Sequence, residues 1–388
     1  MIADQFTISG RNLRVPPTLP EHFLLPEETV TGHFYNDSGH RLCFGCYIPD
    51  HAEGAIIMEI GTNEFLEKHA RLIRANAEHG QATFVLERRG HGLSDRAYPE
   101  HPDRMGGWDF HTLAEDSFQF ITSVVSPLAR YHGLKNPNKT LLAVSQGGLV
   151  GAHLLAAHPE AVDQAVFGAP MFGQQDLDRL AFAHYRLHPQ LAGEYMLRVH
   201  RAVKPDDVIS TKFQKEREAA LLAPDAQKAH DDLWRTENPE LINHTVTRGW
   251  VVSALPALRR VQSRDLAAGV TIPTLILLAE KDECIDNGTA RKWGREAPNA
   301  AVRTIPGAKQ HDILSDPDPK IPQEAISLVH AFLQSPERFV AENRSDSGKN
   351  TQRFLDRVST MLGRRGQDKT PAAAPSHESG SSIHEPAL

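Results

Sequence analysis

The amino-acid sequence predicts an α/β fold in which a mostly parallel central sheet is flanked by helices. The first observation is that strand-like and helical segments alternate along the chain, as in parallel sheets joined by crossover helices. The second is that several strand segments are nearly continuous apolar runs (AIIME, TFVLE, TLLAV, TLILLA), which is typical of strands covered on both faces. The third is size, because 388 residues, 40% of them hydrophobic, provide enough apolar mass for a large core.

Short apolar and β-branched runs bounded by turn residues predict the strands. These runs occupy residues 41–47, 55–59, 83–87, 140–144, 164–167, 274–278 and 302–305. Apolar residues at helical spacing predict the helices between them. These segments occupy residues 64–79, 114–132, 149–158, 289–296 and 322–333.

The alternation breaks once, over residues 171–270, where strand patterns disappear and the sequence becomes polar and helical. Helices are predicted there at 176–188, 194–203 and 212–222. A helical insertion at the carboxyl edge of a parallel sheet covers whatever site lies at that edge, so we interpret the block as a lid. The alternative is an insertion that packs on the fold without a role in the site.

The ends of the chain differ from its middle. Residues 1–31 form an N-terminal extension, and residues 32–170 and 271–334 form the two parts of the core. Residues 335–365 contain an apolar stripe beside four arginines, which predicts a basic amphipathic helix that either lies on a membrane surface or packs on its own domain. The stripe consists of Phe354, Leu355, Val358, Met361 and Leu362. Residues 366–388 lack aromatic side chains and are expected to be disordered.

Composition excludes several classes of protein. With 42 Lys and Arg against 49 Asp and Glu, the formal charge is −7, which argues against a nucleic-acid binder. No apolar stretch approaches the ~18 residues of a transmembrane helix, and the first residues lack the apolar core of a signal peptide, so we expect a cytoplasmic protein. Cys43 and Cys46 form a C-x-x-C pattern inside a predicted strand, without partners for a zinc site, and we expect buried structural thiols.

The segment A-V-S-Q-G-G at 143–148 follows the strand TLLAV and precedes a predicted helix. A sharp strand-to-helix turn needs small residues around its apex, and the apex side chain then projects above the sheet. The pattern therefore predicts Ser145 as a nucleophile, which needs a base and a carboxylate to activate it. The competing interpretation is an ordinary serine in a tight turn.

In hydrolases with such a turn, the acid and then the histidine follow the serine along the chain. Asp282 comes directly after the strand TLILLA, with Asp286 or Glu280 as substitutes. Beyond Asp282, only four of the 21 histidines remain, and they are His311, His330, His377 and His384. Of these, only His311 lies in a loop just past a predicted strand, outside a helix and outside the tail, so it is the candidate general base.

The oxyanion formed during acyl transfer needs two backbone N–H donors. One is expected from Gln146, which follows the candidate nucleophile. The other is expected from Thr62, in the loop after the strand AIIME, where Gly61 allows a sharp turn.

These segments resemble the α/β-hydrolase superfamily, and within it the lysophospholipase and monoacylglycerol lipase branch. That branch has a loop H-G-x-G-E, a strand ending D-x-R-G-x-G-x-S, an elbow G-x-S-x-G-G, a late strand ending x-x-D and a loop G-x-x-H. The sequence is similar to it over residues 32–333, with E-R-R-G-H-G-L-S at 87–94, A-E-K-D at 279–282 and G-A-K-Q-H at 307–311. Departures from the pattern include Ile60 for His, Glu87 for Asp and Ala143 for Gly, and the last loop is one residue longer.

The resemblance implies the α/β-hydrolase fold, a triad of Ser145, Asp282 and His311, and a lid formed by residues 171–270. It favours a lysophospholipid or monoacylglycerol as substrate and requires no metal or cofactor. We therefore expect a serine hydrolase that cleaves acyl esters through an acyl-enzyme. The alternatives are a carboxylesterase or small-peptide hydrolase acting on soluble substrates, and a catalytically silent binding protein. The sequence does not indicate the oligomeric state.

Overall fold

The computed structural model describes residues 5–17, 19–174, 226–243, 245–316 and 318–344. Among these residues, no helix combines the length and the apolar character that crossing a bilayer requires. Several predicted segments lie outside the described residues. They are the helices at 176–188, 194–203 and 212–222, the apolar stripe of the amphipathic helix, and the tail 366–388.

One nine-stranded sheet forms the centre of the protein, in the spatial order β1-β2-β3-β5-β4-β6-β7-β8-β9. Its strands are β1 Thr7–Ile8, β2 Val30–Tyr35, β3 Arg41–Tyr47, β4 Gly54–Glu59, β5 Gln81–Glu87, β6 Asn138–Val144, β7 Gln164–Gly168, β8 Thr274–Ala279 and β9 Ala300–Ile305. Strands β4 to β9 pair in parallel, whereas β1, β2 and β3 are antiparallel to their neighbours. The predicted fold class, a mostly parallel sheet flanked by helices, is confirmed.

The antiparallel edge contains two strands that the sequence analysis did not predict, β1 and β2. Strand β1 has only two residues. Strand β2 includes Gly32, and glycine is uncommon within strands. The glycine is needed because a Cβ at position 32 would lie 2.2 Å from the backbone oxygen of Thr7. The predicted N-terminal extension therefore supplies the edge strand of the sheet.

Helices cover both faces of the sheet. The α-helices are α1 Ala70–Glu78, α2 Phe110–Phe120, α3 Ser126–Tyr131, α4 Gln146–Ala157, α5 Ala226–Glu237, α6 Arg248–Val261, α7 Arg264–Gly269, α8 Asn287–Glu296, α9 Lys320–Gln334 and α10 Pro336–Asn343. Short 3₁₀ turns occupy Glu21–Phe23, Leu66–His69 and Pro239–Leu241.

The single helix predicted over 114–132 is interrupted. A wider π turn, Ile121–Val125, separates α2 from α3. Pro127, near the start of α3, has no backbone N–H to continue the α-helical pattern. The Ser126 backbone N–H instead donates to the Ile121 carbonyl five residues earlier. The apolar periodicity predicted the helix, but it does not distinguish α-helical from π-helical hydrogen bonding.

The described part of the 171–270 block is helical, as expected, and part of it belongs to the core. Helix α6 begins after the N-cap Thr247, whose side chain accepts a hydrogen bond from the Trp250 backbone N–H at 3.1 Å. Trp250, Ala254 and Leu258 are buried in the same apolar cluster as the strands, and α6 packs against α2 and α4.

The cysteines of the C-x-x-C pattern lie on β3 and are both buried and unbonded to each other. Burial raises the pKa of Cys43 to about 11 and that of Cys46 to about 12. Thiols with such pKa values are protonated at neutral pH, so they are poor nucleophiles and poor metal ligands. This agrees with the structural role expected from the sequence.

A buried histidine on α9 predicts how stability depends on pH. The His330 Nε2–H donates to the Asn76 Oδ1 at 3.1 Å, and the side chain is almost wholly buried. Burial, and to a smaller extent the neighbouring His79, lower the pKa of His330 to about 3. Because this folded-state pKa lies below the ordinary value of about 6.5, the unfolded chain binds the proton first, and stability falls as the pH drops from about 6.5 to about 3.

Between pH 7.5 and pH 5, the free energy of unfolding of the unsubstituted protein should fall by about 2 kcal/mol more than that of His330→Gln. Urea denaturation at both pH values measures this difference. The matched control is His51→Gln, which removes an exposed histidine. The assignment is wrong if His330→Gln and His51→Gln lose the same stability on acidification.

Candidate active site

Ser145 occupies the strained turn between β6 and α4. Its backbone has φ +52° and ψ −119°, in the left-handed half of conformational space that residues other than glycine rarely adopt. Close packing maintains this turn, since a Cβ at Gly147 would lie 2.1 Å from the backbone oxygen of Glu59 on β4. The Ser145 N–H also donates to the Gly168 carbonyl at 3.0 Å. Helix α4 therefore begins directly against the end of β4, with the Ser145 side chain above the sheet.

His311 lies in the loop after β9, and both of its ring nitrogens are engaged. Its Nε2 is 2.7 Å from the Ser145 Oγ, and its Nδ1 is 2.8 Å from the Asp282 Oδ2. Because a carboxylate only accepts hydrogen bonds, Nδ1 carries the proton and Nε2 accepts from the serine hydroxyl. The three predicted residues therefore form one continuous chain of hydrogen bonds.

Asp282 follows β8, and its side chain is fully buried. Its Oδ1 accepts from the backbone N–H groups of Cys284 at 2.8 Å and Ile285 at 3.0 Å. Burial raises the pKa of Asp282, but the hydrogen bond and charge of His311 together with these N–H donors outweigh it, so the pKa lies below its ordinary value. The carboxylate is therefore ionised and fixed in orientation.

The two substitute acids are engaged elsewhere. Asp286 is the N-cap of α8 and accepts from the backbone N–H groups of Gly288 and Thr289. Glu280 accepts from the Gly307 N–H at 2.8 Å. Among these carboxylates, Asp282 is the one that contacts His311.

The two candidate oxyanion residues also lie side by side. Gln146 is the first residue of α4, where backbone N–H groups have no partner within the helix. The Thr62 Oγ1 donates to the Gln146 Oε1 at 3.0 Å, which joins the loop after β4 to the residue after Ser145. Within that loop, the Gly61 N–H is bound by the Glu64 carboxylate at 2.5 Å.

A lysine that was not predicted from the sequence links two loops of the site. The Lys68 Nζ lies 2.6 Å from a carboxylate oxygen of Glu64, in the loop after β4, and 2.6 Å from one of Asp312, next to His311. Burial lowers the pKa of Lys68, but the surrounding carboxylates outweigh it and raise the pKa above its ordinary value. The i, i+4 spacing of Glu64 and Lys68 was a detectable signal, whereas Asp312 is 244 residues away.

One group at the site has side chains of metal-ligand type. Within the described residues, the ligand atoms of Asp282, Cys284 and His311 all lie within 4.8 Å of one another. However, both ring nitrogens of His311 already form hydrogen bonds, Nδ1 with Asp282 and Nε2 with Ser145. This geometry fits an oriented base better than a metal centre.

Comparisons with known proteins identify the family of the chain. The family model described as serine aminopeptidase, S33 (Hydrolase_4) matches residues 50–318, more than half of the chain. The chain belongs to the S33 family of α/β hydrolases. A curated relative, the probable lysophospholipase L2 of Haemophilus influenzae, is 25% identical over 282 residues, which cover 72% of this chain and 83% of that protein.

Solved structures show the same fold. A soluble variant of the monoglyceride lipase of Saccharomyces cerevisiae, in complex with a substrate analogue, superimposes with a TM-score of 0.59 at 16% identity, covering 83% of this chain and 97% of that chain. A thermostable carboxyl esterase of Bacillus coagulans has a TM-score of 0.59 at 13% identity and covers 80% of this chain and all of its own. The likeness to the lipase and the esterase establishes the α/β-hydrolase fold.

The separate positions of the two acids predict different effects of substitution. Asp282→Asn should lower kcat for a soluble p-nitrophenyl ester by about 10⁴-fold, because the amide no longer fixes the required tautomer of the histidine. Asp286→Asn is the matched control, and it should leave kcat unchanged because asparagine caps helices as well as aspartate does. Equal losses in the two variants, or a larger loss in Asp286→Asn, would exclude Asp282 as the orienting acid.

Proposed function

We propose that this protein is a serine hydrolase that cleaves acyl esters through an acyl-enzyme intermediate, with a lysophospholipid or monoacylglycerol as its substrate. The observation that carries the proposal is the chain of hydrogen bonds from the strained Ser145 through His311 to the buried Asp282. A serine hydroxyl is a weak nucleophile unless a base removes its proton, and this arrangement supplies an oriented base.

In the first half of the proposed reaction, His311 Nε2 takes the hydroxyl proton as the Ser145 Oγ attacks the ester carbonyl. Asp282 stabilises the imidazolium that forms and holds its Nδ1–H in place. His311 then gives the proton to the leaving alcohol as the carbon–oxygen bond breaks, which leaves an acyl group on Ser145. In the second half, His311 activates a water molecule, which releases the carboxylic acid and restores the serine.

The negative charge on the carbonyl oxygen needs preorganised donors. In this proposal they are the backbone N–H groups of Thr62 and Gln146. The supporting observations are the side-chain contact between the two residues and the position of Gln146 at the positive end of α4.

The 171–270 block serves as the lid in this proposal. Support comes from contacts between its described part and the loop after β4. Arg235 on α5 donates to the Asn63 carbonyl at 2.9 Å, and the Asn243 N–H donates to the Asn63 Oδ1 at 3.0 Å. These contacts bring the second half of the block against the residue next to Thr62, where it can influence substrate access.

The substrate class rests on the relatives and on the charges of the site. The curated relative is named as a lysophospholipase, and one structural neighbour as a monoglyceride lipase. The family description names an aminopeptidase, whose substrate carries a free ammonium group. The acidic side chains at this site, Glu64, Asp282 and Asp312, are already paired with Lys68 or His311, so these three do not offer a carboxylate to that ammonium.

A substrate panel tests the proposal. We expect the protein to hydrolyse p-nitrophenyl butyrate, lysophosphatidylcholine and monooleoylglycerol, and to cleave aminoacyl p-nitroanilides far more slowly. Ser145→Ala should lower kcat on every ester by about 10⁶-fold, because the nucleophile is removed.

The panel also separates the alternatives. Cleavage of the anilides alone would make the protein a peptide hydrolase, and cleavage of p-nitrophenyl butyrate without either lipid would make it a carboxylesterase. A Ser145→Ala variant that keeps a tenth of the activity would remove this serine from the mechanism. The absence of all Ser145-dependent hydrolysis would favour a silent binding protein.

A further inference from the structure

A buried arginine contacts the backbone of the loop that contains Thr62. Arg88 directly follows β5, and its side chain is 0% exposed. Its Nη1 donates to the Ile60 carbonyl, and its Nη2 donates to the Gly61 carbonyl at 3.5 Å. Neither the family resemblance nor the proposed mechanism gives Arg88 a role, because it occupies the variable position of the D-x-R-G-x-G pattern.

The short contact with the Ile60 carbonyl and the longer one with the Gly61 carbonyl together restrict the peptide that joins Gly61 to Thr62. The Gly61 C=O and the Thr62 N–H belong to one rigid trans peptide unit and point in opposite directions. With the carbonyl held towards Arg88, the Thr62 N–H points away from the guanidinium. The positive charge on the carbonyl side also polarises the peptide and makes that N–H a stronger donor.

The Thr62 N–H is available as a donor. The Gly61 N–H is bound by Glu64. In the part of the chain that the structure describes, the Thr62 N–H has no hydrogen-bond partner. A donor that is fixed in direction and has no partner in the resting protein is what an oxyanion site requires.

The energetics argue that Arg88 is more than a packing residue. Its ionic partner is Glu59, also 0% exposed, with an Nη1–Oε2 distance of 3.4 Å. Burying two charges is costly, and apolar side chains of similar volume are often equally stabilising in such positions. The guanidinium, however, supplies several N–H donors in a fixed plane to the carbonyls of this loop. An apolar side chain has no such donors.

We infer that Arg88 is a positioning residue of the oxyanion site, which holds the Gly61–Thr62 peptide so that the Thr62 N–H faces the reacting carbonyl. This inference rests on the proposed function. Arg88 should therefore affect the stability of the transition state, and hence kcat, but not the binding of substrate.

The test compares Arg88→Met/Glu59→Gln with Glu59→Gln alone. The double variant leaves no unpaired buried charge, and the single variant keeps the arginine against the two carbonyls. Active sites are titrated with a fluorophosphonate, so that kcat for p-nitrophenyl butyrate is expressed per reactive serine. We expect the double variant to lose about 10- to 100-fold in kcat relative to Glu59→Gln, with KM within about twofold, because a donor is misaligned and not deleted.

A second readout distinguishes this role from a purely structural one. A trifluoromethyl ketone forms an oxyanion adduct with the serine, so its inhibition constant should rise by the same factor as kcat falls. Loss of folded protein would lower the number of titrated sites without changing either quantity. Arg88→Lys keeps the charge but has one donor nitrogen in place of the planar guanidinium fork, and it should show an intermediate loss in both measurements.

The outcomes separate the inference from the function on which it rests. Equal kcat per site in the double variant and in Glu59→Gln, or a change in KM alone, would overturn the role of Arg88 while the hydrolase assignment stands. If the double variant does not fold, Arg88→Lys decides, and an unchanged kcat and inhibition constant would overturn the inference. A wild-type protein that does not react with the fluorophosphonate would refute the proposed function and this inference with it.

Discussion

The parallel arrangement of β6, β8 and β9 is the constraint on which the site depends. Parallel strands end at the same edge of the sheet, so the turn after β6 and the loops after β8 and β9 meet there. Ser145, Asp282 and His311 each occupy one of these three positions. Their hydrogen bonds therefore join residues that are far apart in the sequence. The rigid sheet keeps the His311 Nε2 2.7 Å from the Ser145 Oγ and the His311 Nδ1 2.8 Å from the Asp282 Oδ2.

Buried charges hold the surrounding loops in place. Arg11, in the N-terminal extension, binds the carboxylates of both Glu67 and Glu87, at distances of 2.5 to 2.9 Å. The longer side chain of Glu87, where the resembled family has Asp, also accepts from the Leu66 and Leu93 backbone N–H groups. Buried ion pairs contribute little net stability but are costly to break, so their main effect is to select one arrangement of the loops.

The sequence predicted the parts of the structure that depend on local pattern. Strands β3 to β9 are apolar runs bounded by turn residues, and their predicted ends agree with the observed ones to within two residues. The small residues around Ser145 indicated the turn, and His311 emerged because the other late histidines lie in a helix or in the tail. These signals are short-range, which is why a single sequence contains them.

The features that escaped prediction depend on contacts between distant segments. Strand β1 forms only because β2 presents an edge to it, and the contact between Lys68 and Asp312 joins residues 244 positions apart. Arg88 occupies a variable position of a motif, and its contact with the loop after β4 becomes apparent only when β4 and β5 pair. No periodicity in the sequence reports which charges will meet in the folded protein.

The turn at Ser145 is expected to hold an activated nucleophile. The most direct measurement is peptide mapping by mass spectrometry after the full-length protein reacts with a fluorophosphonate, since only an activated serine forms the covalent adduct. We predict one phosphonylated residue, Ser145, and no label when the protein is heat-denatured before the reaction. An adduct on another residue, or no adduct on the folded protein, would contradict it.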